Sequence, residues 1–267
     1  MRDAISDGSG SAGELRPGRA EVACRFDGEI LPEVSGLAAS IRHPGVLWTH
    51  NDSGDDSRIF AIDASDCRMR AEVRLTGVTA RDAEAIAVGR DAQGDPVIWL
   101  ADIGDNRDSW DSVRLYRIGE PRRLVDQAVA ASSFTIRYED GPRDAEALLV
   151  DPSPGGAIWL ATKRQAADGG MYRVPDSIVS KGSAVARRVG SVPAMTSDGS
   201  YAPDGRHFVL RTYTGATLFR SPPPGSGGQA VAIPLQPQGE AIAFSHDSRS
   251  LFLASERSDQ LWRLPLD

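Results

Sequence analysis

Cysteine and histidine are scarce in this chain. Only Cys24 and Cys67 and four scattered histidines occur in 267 residues. No Cys-x-x-Cys pair is present, which removes the usual zinc frameworks. Spacing alone does not say whether the two cysteines meet, and two free buried thiols are the expectation for a chain read as not exported. Long apolar runs are missing as well, since none approaches the roughly eighteen residues of a membrane span. Segment 1–20 is polar and rich in Gly and Ser, without the apolar centre of a signal peptide. These features place the protein in the cytoplasm, or outside the cell if an export signal has been removed, with no membrane partner. Basic stripes are absent too: 30 Lys and Arg face 37 Asp and Glu, a net charge of −7, which disfavours nucleic acid. There is neither a Gly-x-Ser-x-Gly elbow nor a phosphate-cradling glycine loop.

What is present is a repeat. The string Arg-Asp-Ala-Glu-Ala occurs at Arg81 to Ala85 and again at Arg143 to Ala147. Degenerate copies of its surroundings place Ser35, Glu84, Glu146, Ser197 and Glu240 at equivalent points. Behind each anchor come an apolar run, a turn, a second apolar run such as Val97-Ile98-Trp99-Leu100, and a third run carrying one aromatic. Those aromatics are Phe60, Tyr116, Tyr172, Phe219 and Trp262. Short runs bounded by Gly, Pro, Asp and Ser, with no sustained helical period, indicate an all-β chain. Units of roughly 40–60 residues with room for four strands indicate propeller blades.

The expected fold is a five-bladed β-propeller over residues 20–267, with six blades as the alternative, preceded by a flexible polar tail over 1–19. The longest interval between anchors holds an extra segment around Arg122 to Ala130. After the aromatic run at Trp262 too little chain remains for a fourth strand in the last unit. Residues 20–26, just before the first anchor, can supply it and close the ring, which leaves no long exposed edge.

In a propeller the first strand of each blade lines the central channel, and its opening residue lies at one mouth. Glu84, Glu146 and Glu240 therefore converge, with Ser35 and Ser197 completing the ring. Clustered carboxylates repel and raise one another's pKa unless a cation neutralises them. Calcium, a hard ion that takes six to eight oxygens in loose geometry, fits a ring of unequal ligands. Hydrogen bonding of these glutamates to backbone amides at the blade junctions is the competing explanation. Second strands return to the same mouth and end in polar loops, which offer His50, Asp102 and Glu256 for proton transfer. The same loops offer Asn51, Lys163, Arg164, Arg211 and Tyr213 for gripping a small anionic substrate.

The anchors Val34-Ser35-Gly36-Leu37-Ala38, Glu84-Ala85-Ile86-Ala87 and Gly239-Glu240-Ala241-Ile242-Ala243, with Leu47-Trp48-Thr49-His50-Asn51-Asp52 between the first two, resemble the blades of SdiA-regulated and esterase-phytase-like bacterial propellers. The likeness runs from Val34 through nearly the whole chain. A more distant similarity is to the five-bladed calcium-dependent apyrases, which implies one axial calcium held by Ser35, Glu84, Glu146, Ser197 and Glu240. Their nucleotide-gripping residues have no counterparts in these loops. Two functions stay open: a metal-dependent enzyme, foremost an ester or phosphoester hydrolase with lyase or isomerase chemistry as variants, and a non-catalytic ligand- or protein-binding propeller with a structural axial metal.

Overall fold

A computed structural model describes residues 15–52, 54–165, 167–225 and 228–267. The strands are β1 (Glu21–Arg25), β2 (Val34–Ala39), β3 (Val46–Asn51), β4 (Arg58–Asp63), β5 (Met69–Thr76), β6 (Ala83–Arg90), β7 (Pro96–Asp102), β8 (Val113–Gly119), β9 (Gln127–Ala130) and β10 (Ser132–Tyr138). They continue as β11 (Ala145–Val150), β12 (Ile158–Thr162), β13 (Gly169–Val174), β14 (Ser183–Val192), β15 (Thr196–Tyr201), β16 (His207–Thr212), β17 (Ala216–Arg220), β18 (Gln229–Val231), β19 (Gln238–Phe244), β20 (Ser250–Glu256) and β21 (Gln260–Pro265). A one-turn helix, α1 (Ile178–Lys181), is the only helix among the described residues. The fold is all-β and propeller-like.

The sheets follow the repeat. Strands β2 to β5 form one antiparallel run, β6-β7-β8-β10 a second, β11 to β14 a third, β15 to β18 a fourth, and β19-β20-β21 with β1 the last. The first strands pack side by side in order, β2 on β6, β6 on β11, β11 on β15, β15 on β19, and β19 back on β2. The five first strands thus contact one another in a closed cycle. The terminal strand β1 pairs antiparallel with β21, Val22 opposite Trp262, so the N-terminal segment completes the last sheet. Residues 1–14 of the expected tail lie outside the described residues. Arg16 and Gly18, assigned by sequence to that tail, are tied to the C-terminus: Arg16 N–H donates to the Asp267 carbonyl at 2.8 Å and Gly18 N–H to that of Pro265 at 2.8 Å.

Sequence patterning follows from position in this ring. First and second strands lie between neighbouring sheets and are buried on both faces, so β3, β11, β12 and β20 are unbroken in burial and read as continuous apolar runs. The outermost strands meet solvent on one face, so β5 and β10 alternate. The extra segment between the second and third anchors contributes β9, which pairs in parallel with the outer edge β5. Outer strands β10 and β14 also pair in parallel, fusing two sheets into an eight-stranded one. Both pairings cover edges that would otherwise invite association.

One expectation is overturned. Cys24 on β1 and Cys67 in the turn after β4 form a disulfide, with Cα atoms 5.6 Å apart, and no free cysteine remains among the described residues. Free thiols were the expectation for a chain read as not exported, and position in different repeat units left their pairing open. Ring closure brings the last sheet against the first, and so brings them together.

Candidate functional site

The five anchors share a backbone feature that no spacing argument reveals. In every unit the register between first and second strand slips at the anchor, between Val34 and Gly36, Ala83 and Ala85, Ala145 and Ala147, Thr196 and Asp198, and Gly239 and Ala241. Ser35, Glu84, Glu146, Ser197 and Glu240 are thus the extra residues of five β-bulges. A bulged residue leaves the ladder and its side chain is re-aimed, a device common at sheet rims beside active sites. The repeated Arg-Asp-Ala-Glu-Ala string supports this geometry. Asp102 Oδ1 accepts the backbone N–H groups of Arg81 and Asp82 at 3.0 and 2.9 Å, Tyr116 Oη–H donates to its Oδ2 at 3.0 Å, and the Arg81 guanidinium stacks 3.8 Å from the Trp110 ring.

The three glutamates do come together at one mouth. Burial, the nearby carboxylates of Glu146, Asp52 and Asp82, and a hydrogen bond with Glu146 raise the Glu84 carboxyl well above the usual carboxylate range. Glu146 is pushed up to about 8 by burial, against the pull of Lys163, with Glu240 and Asp144 adding to the rise. Lys163 Nζ donates to Glu146 Oε1 at 2.7 Å and lies 5.2 Å from the centre of the Tyr213 ring. Glu240 is raised by burial and by Asp52, although Lys163, Gln238 and Tyr213 oppose this. Its Oε1 accepts from Gln238 Nε2 at 3.2 Å, whereas its Oε2 is buried without a hydrogen-bond donor. Glu256, 7% exposed, is lifted to about 7 by burial and by the charges of Asp52 and Glu240.

Acids this crowded require protons or a cation. Oxygens of Asp52, Asp82 and Glu84 lie within 4.8 Å of one another. Gly104 closes the backbone against two of them, since a Cβ there would strike Glu84 Oε1 and Asp82 Oδ2. Hard oxygen donors in a close glycine-backed cradle fit a calcium ion.

Other sequence-selected residues serve different ends. The Ser35 hydroxyl donates to the Glu84 carbonyl at 3.3 Å and that of Ser197 to the Gly239 carbonyl at 2.7 Å, so each ties its first strand to the next. Arg211 is fully buried: its Nη1 donates to the carbonyls of Ala241 and Ala254 at 2.6 and 2.9 Å, and its Nη2 donates to Gln236 Oε1. Burial lowers it to about 10. Asp102 is fully buried in the clasp described above. His50 is buried and its pKa lowered by that burial; Nδ1 faces the Asn51 carbonyl at 2.8 Å, while Nε2 has no partner and packs against Gly36. Asn51 Nδ2 bridges the Ile30 carbonyl and Asp55 Oδ2. Lys163 and Arg164 line a recess of about 270 Å³ that also includes Asn106 and Asp144. Asp52 and Asp82 were not selected from the sequence. Asp82 had a signal, its place two residues before Glu84 in the repeated string; Asp52 stands in a loop whose Asp-rich composition equally suits a turn.

No family model matches the chain. Over 158 residues it is 27% identical to 1D-myo-inositol 2-acetamido-2-deoxy-alpha-D-glucopyranoside deacetylase of Thermobifida fusca (strain YX), an alignment covering 58% of this chain and 44% of that protein. The chain thus matches less than half the length of that curated relative. Among solved structures, one described as the structure of U3-55K aligns over 87% of this chain and 67% of its own, with a TM-score of 0.42 and 13% identity.

Proposed function

We propose that the protein is a five-bladed propeller whose acidic channel mouth binds calcium and acts there on a small ester or phosphoester. One observation carries this reading: five bulges turn one anchor each out of the ladder, and the three glutamates among them meet Asp52 and Asp82 in a buried, carboxylate-rich mouth. Asp52, Asp82 and Glu84 are the proposed ligands, with Glu146 and Glu240 as flanking charge. Bound calcium supplies positive charge that draws the oxygens of an anionic substrate into a mouth otherwise repellent to them. Lys163 and Arg164, which line a recess with Asn106 and Asp144, orient the substrate. Glu256, which closes β20 beside Asp52 and Glu240, is the proposed proton carrier. His50, Asp102 and Arg211 have no part in this version, because each is sealed within the protein.

The second reading is a binding propeller with a structural metal. It is favoured by one fact: the cations and acids expected to perform chemistry, Lys163, Arg211 and Asp102, are engaged with protein groups. The disulfide favours an oxidising compartment and hence the extracellular alternative. Nitrophenyl esters and phosphodiesters, assayed in calcium and in chelator with wild type and Glu256→Gln, decide between the two. Turnover that needs calcium and falls at least tenfold in Glu256→Gln supports the enzyme; calcium binding without turnover supports the binder.

A further inference from the structure

The repeated Arg-Asp-Ala-Glu-Ala string builds the same acid pair twice, and the two copies are neutralised differently. In the second unit the string supplies Asp82 and Glu84, in the third Asp144 and Glu146, and each glutamate is the bulged residue of its first strand. The chain leaving the second strand meets both copies alike: Gly104 N–H donates to the Asp82 carbonyl at 3.2 Å, and Lys163 N–H to the Asp144 carbonyl at 3.0 Å. The side chains at these two points differ completely. Gly104 brings no charge, and beside it oxygens of Asp52, Asp82 and Glu84 lie within 4.8 Å of one another. Lys163 lays its ammonium on the acids of its own unit, Nζ donating to Glu146 Oε1 at 2.7 Å and lying 5.2 Å from the centre of the Tyr213 ring, within cation–π range. The charges of Asp144 and Glu240 also act on this ammonium. Glu240 adds an oxygen, Oε2, that is buried without a hydrogen-bond donor. The Lys163 side chain is only 14% exposed, so solvent and salt screen its charge little.

We propose that Lys163 is a tethered cation that stands in for a second metal ion beside Asp144, Glu146 and Glu240, and so limits the mouth to one calcium, at Asp52, Asp82 and Glu84. This rests on the calcium reading given above. A lysine ammonium is a compact point charge, able to neutralise such a cluster without a coordination shell of its own. A divalent ion entering beside it would meet like charge in a poorly solvated site and would have to take Glu146 from its partner.

Calorimetric titration of calcium into the metal-stripped full chain counts the equivalents bound by wild type, Lys163→Met and Lys163→Arg. Wild type is expected to take one, Lys163→Met two, and Lys163→Arg, which keeps the charge, one. If the methionine variant fails to fold, Lys163→Gln, whose amide can still donate to Glu146, carries the same expectation of a second equivalent. One equivalent in wild type and in the variants that remove the charge overturns the tethered cation and leaves the calcium reading standing. No binding in wild type with one equivalent in Lys163→Met overturns the site at Asp52, Asp82 and Glu84 and supports Lys163 as the occupant of the other. Two equivalents in wild type, or none in any of these proteins, overturns the proposal.

Discussion

Replacing Arg211 by methionine separates a substrate-gripping arginine from a structural clasp. In the folded protein this guanidinium satisfies the Ala241 and Ala254 carbonyls and Gln236 Oε1, bridging the fourth sheet to the fifth. It is also the cation facing Asp198, whose carboxylate accepts the N–H groups of Gly199 and Ile242, both at 2.7 Å. Methionine preserves much of the volume but leaves three acceptors unpaired and Asp198 without its counter-charge. At roughly 1–1.5 kcal/mol per lost hydrogen bond, and more for the stranded charge, the loss is about 3–5 kcal/mol. For a domain of this size that lowers Tm by about 10 °C. Thermal and urea unfolding measure it, with calcium titration of the folded fraction as control. The clasp predicts a large loss of stability and an unaltered calcium affinity. A variant as stable as wild type but defective in ligand binding would refute the reasoning and restore Arg211 to the mouth.

Metal-free protein should lose stability between pH 6.5 and 8.5. Glu146 and Glu256, held at about 8 and about 7, are protonated in the folded state and ionised in the unfolded one, so their contribution is complete below pH 4.5 and lost as pH rises through the folded values. Asp55, Asp63, Asp140 and Asp247 are held low and are already ionised in both states across that window. Chelated protein melted at the two pH values should show a drop of several degrees that saturating calcium removes; an unchanged Tm contradicts the crowding of acids. Gly104→Ala, which pushes a methyl against Glu84 and Asp82 without deleting a carboxylate, should weaken calcium binding at least tenfold in a calorimetric titration. Cys24→Ser with Cys67→Ser opens a link spanning 43 residues and should remove about 3–4 kcal/mol in urea unfolding, with the far-UV spectrum of the folded protein unchanged.

Much of the architecture was legible because propeller position dictates composition. First and second strands are apolar on both faces, outer strands alternate, and turns carry Gly, Asp and Ser, so the repeat predicted the observed strands, the outer-edge strands and the N-terminal strand in the last sheet. The glutamates were legible at the mouth for the same reason: three copies at one register. The bulges that aim them were not, since a bulge adds one residue to one strand and leaves no compositional mark. Arg211, Asp102 and His50 misled because a charged residue at the end of an apolar strand looks identical whether it turns toward solvent or inward onto backbone carbonyls and amides. The disulfide was hidden because ring closure, not sequence proximity, joins the last sheet to the first.

The central claim is that calcium occupies the acidic mouth, and calorimetric titration of calcium into metal-stripped protein tests it most directly, with Glu84→Gln as the paired variant. One equivalent of binding in wild type, a rise in Tm on saturation, and loss of both in Glu84→Gln are the predicted results. No heat and no change in Tm at millimolar calcium, or binding that survives Glu84→Gln unaltered, would contradict the account and leave the three glutamates as protonated residues of the blade junctions.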